Sequence, residues 1–182
     1  MKRFGVFVML LFTGVFIVIT ARSESHETGK MHTAPFGTAQ DVQMAKLLWS
    51  AIEGYQENWT EYPGLEGFQP GNSPHGNYLK YYLNKTAKSN TDEFPYGSII
   101  IKENYMAKDA KKLGPVTVMA RLKGYDSDNY DWYWVKYNPD GTLDTNPKGM
   151  KLAGAVAQGM DSGCISCHAG ADGDDYVFAN DK

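Results

Sequence analysis

The chain has 182 residues, 42% of them hydrophobic and 21% charged, which is one ordinary globular domain and far from disordered, collagenous or coiled-coil compositions. Its formal net charge is −3, so no basic excess exists to neutralise a phosphate backbone, and nucleic acid is not an expected partner. Two cysteines, Cys164 and Cys167, are too few for a disulfide-framework mini-protein.

Lys2 and Arg3 precede an uncharged run from Phe4 to Thr20, followed by the small and polar residues Ala21 to Glu24. This is the order of an export signal, assigned to residues 1–22. The run is 17 residues, at the lower edge of a membrane span, so an uncleaved anchor is the alternative. Either way the rest is expected in the periplasm or otherwise exported, tethered to the membrane if the signal stays. Without Lys2, Arg3 and Arg22, 15 basic residues face 21 acidic ones, a net charge of −6. Residues 23–37 are polar and aperiodic and read as a flexible tether, leaving 38–182 as one domain.

Thr38 to Ile52 has helical periodicity, with Val42, Ala45, Leu48, Trp49 and Ile52 on one face and Thr38 and Asp41 placed as a capping box. Gly54 supplies a stop. Tyr62 to Gly76 is rich in Pro and Gly and reads as a loop. Strands are predicted over Asn77–Leu83, Ser98–Tyr105, Val116–Lys123 and Trp132–Tyr137. A short helix is predicted over Asn84–Asn90, and turns at Phe94–Gly97 and Asn138–Gly141. Nine of the twelve tyrosines lie between Tyr78 and Tyr137, a bias that favours strands. Ala153 to Gly159 is helical in composition. The fold class is therefore α+β, a mainly antiparallel sheet packed with a few helices.

Cys164-Ile165-Ser166-Cys167-His168 carries the chemistry. Cys-x-x-Cys-His is the pattern of c-type haem attachment: two thiols add to the haem vinyl groups and the adjacent imidazole reaches the iron. A thioredoxin-like pair would want a βαβ context, and zinc would want two further ligands, for which His26, His32 and His75 are scattered. A disulfide would close a loop of little entropic value. Lys102, inside Ile-Ile-Ile-Lys-Glu, shares a strand face with Ser98, Ile100 and Asn104. It is either an edge-strand solubility device or a buried reactive amine. His75 is either a proton-transfer group or a loop histidine. Phe94 is either an apolar lid over the open iron face or a core residue. Met106, Met119, Met150 and Met160 are thioethers more often used in packing. Glu103 and Asp126 are the carboxylates nearest in sequence.

Several stretches in order resemble the cytochrome P-460 family, which includes the β-sheet cytochromes c′. They are Pro74-His75-Gly76, Leu83-Asn84, Phe94 to Glu103, Val116 to Met119, Trp132-Tyr133-Trp134, the haem motif itself, and Asp175 to Phe178. The resemblance covers about Trp49 to Phe178. It implies about five antiparallel strands with helices, usually as a homodimer, holding one haem c with His168 on the iron and the other iron face open. It also implies, in the enzymatic members, a lysine bonded to the porphyrin edge at the position of Lys102. Such members oxidise hydroxylamine to nitrogen oxides and pass electrons to a soluble cytochrome. The c′-type members have an apolar residue at that position and bind nitric oxide or carbon monoxide.

Overall fold

The computed structural model describes residues 36–108, 112–157, 163–173 and 175–181. The signal or anchor over residues 1–22, the tether up to residue 35, and His26, His32 and Met160 lie outside them. No helix among the described residues is long and apolar enough to cross a membrane.

The chain runs α1 (Ala39–Ile52), α2 (Tyr55–Asn58), β1 (Thr60–Glu61), β2 (Gln69–Pro70), β3 (Tyr78–Leu83), α3 (Lys85–Ser89), β4 (Ile99–Tyr105), β5 (Leu113–Arg121), β6 (Trp132–Tyr137), β7 (Ala153–Gly154) and α4 (Cys164–His168). Single 3-10 turns lie at Ser127–Asn129 and Phe178–Asn180. Among the described residues the sheet is antiparallel, in the order β1-β3-β4-β5-β6-β7, with β2 also pairing β3. Four long strands carry it, and β1, β2 and β7 are two-residue additions. The α+β class and the antiparallel sheet expected from the sequence are borne out.

Period-two alternation gives the sheet two different faces. On one, Tyr82, Ile101, Val118, Ala120, Tyr133 and Val135 pack under α1 through Ala45 and Ile52. On the other, Leu83, Ile100, Met119, Trp132 and Trp134 pack beneath Ile165 of α4 and Val177. Thr38 caps α1 by accepting from Asp41 N at 3.2 Å, and Asp41 accepts from Thr38 N at 3.0 Å, the capping box the sequence predicts. Two tyrosines of β6 fasten this helix to the sheet: Tyr133 donates to the Asp41 carbonyl and Tyr137 to the Ala45 carbonyl, both at 2.7 Å.

Three expectations change. The tether ends before Phe36, which is buried, and Gly37 N donates to the Ala153 carbonyl at 2.8 Å. A side chain at Gly37 would meet the Lys151 carbonyl at 2.5 Å, and φ is +77°, so only glycine lets the chain enter here. Ala153 begins a strand rather than a helix, because Ala153 and Gly154 pair with Val135 and Trp134 at the sheet edge. Their small size brings α1 close: a Cβ at Gly154 would lie 2.6 Å from the Asp41 carboxyl carbon. Residues 158–159 of that segment lie outside the described ones. Finally, the strand expected over Val116–Lys123 starts earlier, at Leu113, and ends at Arg121.

Glu103 is fully buried on the α1 face. It accepts from Tyr55 Oη at 2.7 Å, from Tyr105 Oη at 2.8 Å and from the Gln56 amide. Glu103→Gln weakens this set of charge-assisted bonds and is expected to cost about 1–3 kcal/mol. The measurement is the urea midpoint. Because the carboxylate faces away from Lys102, visible spectra of the purified protein should be unchanged.

Candidate functional site

The site is built on the sheet face opposite α1. In β4 the side chains of Ile100, Lys102 and Asn104 point to it, and across the ladder Lys102 sits between Tyr81 of β3 and Thr117 of β5. The cysteine motif is the single-turn helix α4. Ile165 is its buried anchor, and Ile165 N donates to the Val156 carbonyl at 3.2 Å. Cys164 and His168 are one turn apart and thus share a side of the helix, with Cys167 adjacent. Both thiols are free; Cys164 is half-buried and Cys167 exposed. Among the described residues no group of three or more His, Cys, Asp or Glu side chains is arranged to hold a metal ion.

His168 Nδ1 lies 2.8 Å from the Tyr176 carbonyl. A carbonyl only accepts, so Nδ1 carries the proton and Nε2 keeps its lone pair, the state an iron-ligating imidazole needs. Burial first, and the Lys102 charge second, hold the His168 pKa down to about 4, so the ring is neutral at neutral pH. Tyr176 presents that carbonyl from a left-handed backbone, φ +68°, a strain of about 1 kcal/mol or more for a non-glycine residue. Its hydroxyl donates to Asn129 Oδ1 at 3.1 Å, and Asn129 Nδ2 donates to Asp126 at 2.8 Å. Asp126 is thus tied to the Nδ1 side of His168, and Glu103 lies on the other face of the sheet. Trp134 stacks edgewise on the His168 ring at 4.8 Å, and the exposed ring of Phe178 lies 5.3 Å from it.

His75 comes to the same place from the loop before β3. Its ring is 6.4 Å from that of His168. Its Nε2 lies 2.9 Å from Lys102 Nζ and its Nδ1 lies 3.0 Å from Asn104 Oδ1. Burial, then the charges of Lys102 and His168, push its pKa down to about 3. His75 is accordingly a neutral imidazole here, not a group titrating near neutrality. Burial also lowers Lys102 to about 8 and raises Cys164 to about 11. At neutral pH the lysine therefore carries a sizeable free-amine fraction, roughly a tenth, against a protonated thiol.

Phe94 belongs to the core cluster on the site's side of the sheet. It is buried at 1% exposure, with Tyr62 and Trp132 at 6.4 and 6.1 Å, and is a core side chain. The aromatic residues that border His168 are Trp134 and Phe178, which sequence position alone does not single out. Met119 is core and Met150 lies at the core edge, whereas Met106 is 56% exposed. Asn104 was the residue missed as a partner; its only signal was its strand parity with Lys102.

Two free thiols, a neutral imidazole with an available Nε2, and half-buried apolar surface from Tyr81 and Tyr176 form a donor set suited to haem c, and this arrangement on an antiparallel sheet is that of a β-sheet haem cytochrome. The model of the family described as Cytochrome P460 matches residues 52–179. The chain belongs to the Cytochrome P460 family, whose cofactor is haem c. No curated protein matches the chain.

The seat of α4 depends on Gly163, at φ +146°. A Cβ there would lie 1.9 Å from the Ala157 Cβ. Gly163→Ala must displace the motif helix or Ala157, an overpacking cost of about 1–3 kcal/mol. The expected result is a reduced share of covalently haem-stained protein on a denaturing gel, at equal expression.

Proposed function

We propose that this protein is an exported mono-haem c cytochrome that oxidises hydroxylamine to nitrogen oxides. Haem would be held by thioether bonds to Cys164 and Cys167, with His168 Nε2 on the iron. The bound haem supplies an iron able to bind a small nitrogen compound and to take up its electrons one at a time. The chain's own residues would support it as follows. Tyr176 fixes the imidazole tautomer, Ile165 and Gly163 seat the motif, and the Trp134 and Phe178 rings flank His168. Electrons would leave to a soluble cytochrome, and a homodimer is the expected assembly.

The observation that carries the enzymatic reading is Lys102. It lies on the face that bears Cys164 and His168, with its amine lowered to about 8 by burial. That is what a nucleophilic amine requires, and an edge-strand solubility lysine would not be buried this way. We therefore assign Lys102 as the residue bonded to the porphyrin edge. The second reading, a protein that only captures nitric oxide or carbon monoxide, is favoured by the same open histidine site if Lys102 stays unmodified.

Cys164→Ala or Cys167→Ala should lose haem that survives denaturation, whereas His168→Ala should keep some and lose the normal iron spectrum. Covalent-haem staining and absorption spectra check this, and an exported protein without covalent haem would overturn the proposal.

Lys102→Leu should fold, since leucine suits this apolar strand position. It should show an ordinary ferrous haem c Soret band in place of a strongly red-shifted one, retain nitric oxide binding and lose hydroxylamine oxidation. A Lys102 found unmodified in protein matured by its native host leaves the gas-binding reading in its place.

A further inference from the structure

His75 and Asn104 belong to no recognised haem-attachment motif, yet they form an oriented chain that ends on the Lys102 amine. Asn104 is buried on β4 at 3% exposure. Its Nδ2 donates to the Pro115 carbonyl at 2.6 Å and to the Lys102 carbonyl at 3.3 Å. With the amide nitrogen so committed, the group facing His75 is Oδ1, an acceptor. His75 Nδ1, 3.0 Å away, must therefore be the protonated nitrogen, and Nε2 must be the lone-pair nitrogen. Lys102 Nζ lies 2.9 Å from that lone pair and donates to it. The histidine is itself held: His75 N donates to the Asn72 carbonyl at 2.8 Å. Gly76 lets the loop lie directly on β4, since a Cβ there would meet the Tyr105 carbonyl oxygen at 2.5 Å.

We propose that His75, oriented by Asn104, is a positioning residue that holds the Lys102 amine for bonding to the porphyrin edge. The inference rests on the cross-linking assignment made above and adds what prepares the amine for it. A neutral amine that donates one N–H to His75 has its own lone pair directed elsewhere, and cannot rotate freely on its four-carbon stem. In the bonding step an N–H bond of Lys102 and a C–H bond at the porphyrin edge break, and one N–C bond forms. Two electrons and two protons leave, and a peroxide accepts them and is reduced to two waters. Both protons thus pass to the peroxide, and His75 orients the amine without itself taking up a proton.

The test compares wild-type holoprotein with His75→Phe, which keeps a ring of similar size and removes the acceptor, and His75→Gln, whose side-chain oxygen restores one. Three quantities are read: covalent-haem staining, the thermal unfolding midpoint, and the mass-spectrometric fraction of Lys102 peptide joined to the Cys164–His168 haem peptide. The expected result is normal thioether haem in all three. The linked Lys102 fraction should fall about tenfold or more in His75→Phe, as for loss of one well-made hydrogen bond at a reacting group, and should be largely recovered in His75→Gln. Full linkage in His75→Phe overturns the inference and leaves the cross-link assignment standing. Equal loss in both variants overturns it too, because the acceptor is then irrelevant. A wild-type protein without linkage overturns the cross-link assignment and this inference together. Should His75→Phe fail to fold, nitrogen NMR of the wild-type ferrous carbonyl form decides: a proton on Nδ1 of His75 supports the chain, and a proton on Nε2 overturns it.

Discussion

Side-chain alternation along β4 is the constraint on which the site depends. Lys102 and Glu103 are adjacent in sequence and would pair if the backbone allowed it. The pleat sends them to opposite faces of one sheet. On the α1 face Glu103 is satisfied by two tyrosine hydroxyls and an amide. On the other face Lys102 meets a neutral imidazole and not a carboxylate. A carboxylate at that position would hold the ammonium in its charged form and remove the nucleophile. A one-residue slip in register would exchange the two faces, so the ladders β3–β4 and β4–β5 set the chemistry as well as the fold.

The second requirement is that a short helix with little burial of its own be held accurately. A five-residue helix is not stable by itself. Its fixed points are Ile165 in the core, the Ile165 N to Val156 carbonyl bond, and the segment after it that supplies the Tyr176 carbonyl. That segment is fastened in turn, with Trp132 Nε1 donating to the Asp175 carbonyl at 2.8 Å and Asn180 Nδ2 donating to the Asp175 carboxylate at 2.7 Å. The strained Tyr176 backbone is thus over-determined by bonds on each side of it.

Much of this was legible from residue order, for physical reasons. Strand alternation in β4 and β6, the capping of α1, and the Cys-x-x-Cys-His spacing are local properties, and each element lies where local chemistry puts it. Three features were not local. Ala153 and Gly154 have helical composition, but their small side chains serve the approach of Asp41 to the sheet edge, and pairing with β6 decides their conformation. Phe94 sits in a turn and could face either way; its burial against Tyr62 and Trp132 follows from tertiary contacts alone. For His75 the sequence leaves a proton-transfer group and a loop histidine both open, the former because an unperturbed imidazole titrates near neutrality. Burial and two neighbouring basic groups, 27 and 93 positions away in the chain, change that role.

Burial is also what makes the site expensive. Lowering Lys102 from 10.5 to about 8 is a free-energy cost of about 3 kcal/mol at neutral pH, since the unfolded chain would bind a proton that the folded one binds less tightly. The sign follows from proton counting: the penalty is constant below about pH 8 and fades as pH rises toward 10.5. An apolar side chain at this position would avoid it entirely. Against a total stability of about 5–15 kcal/mol for an ordinary domain, a lysine kept here at that cost is hard to explain by packing. It is readily explained if the amine is consumed in a bond, because an amine joined to an aromatic carbon no longer binds a proton near neutrality. The desolvation penalty then applies only to the protein before that bond forms.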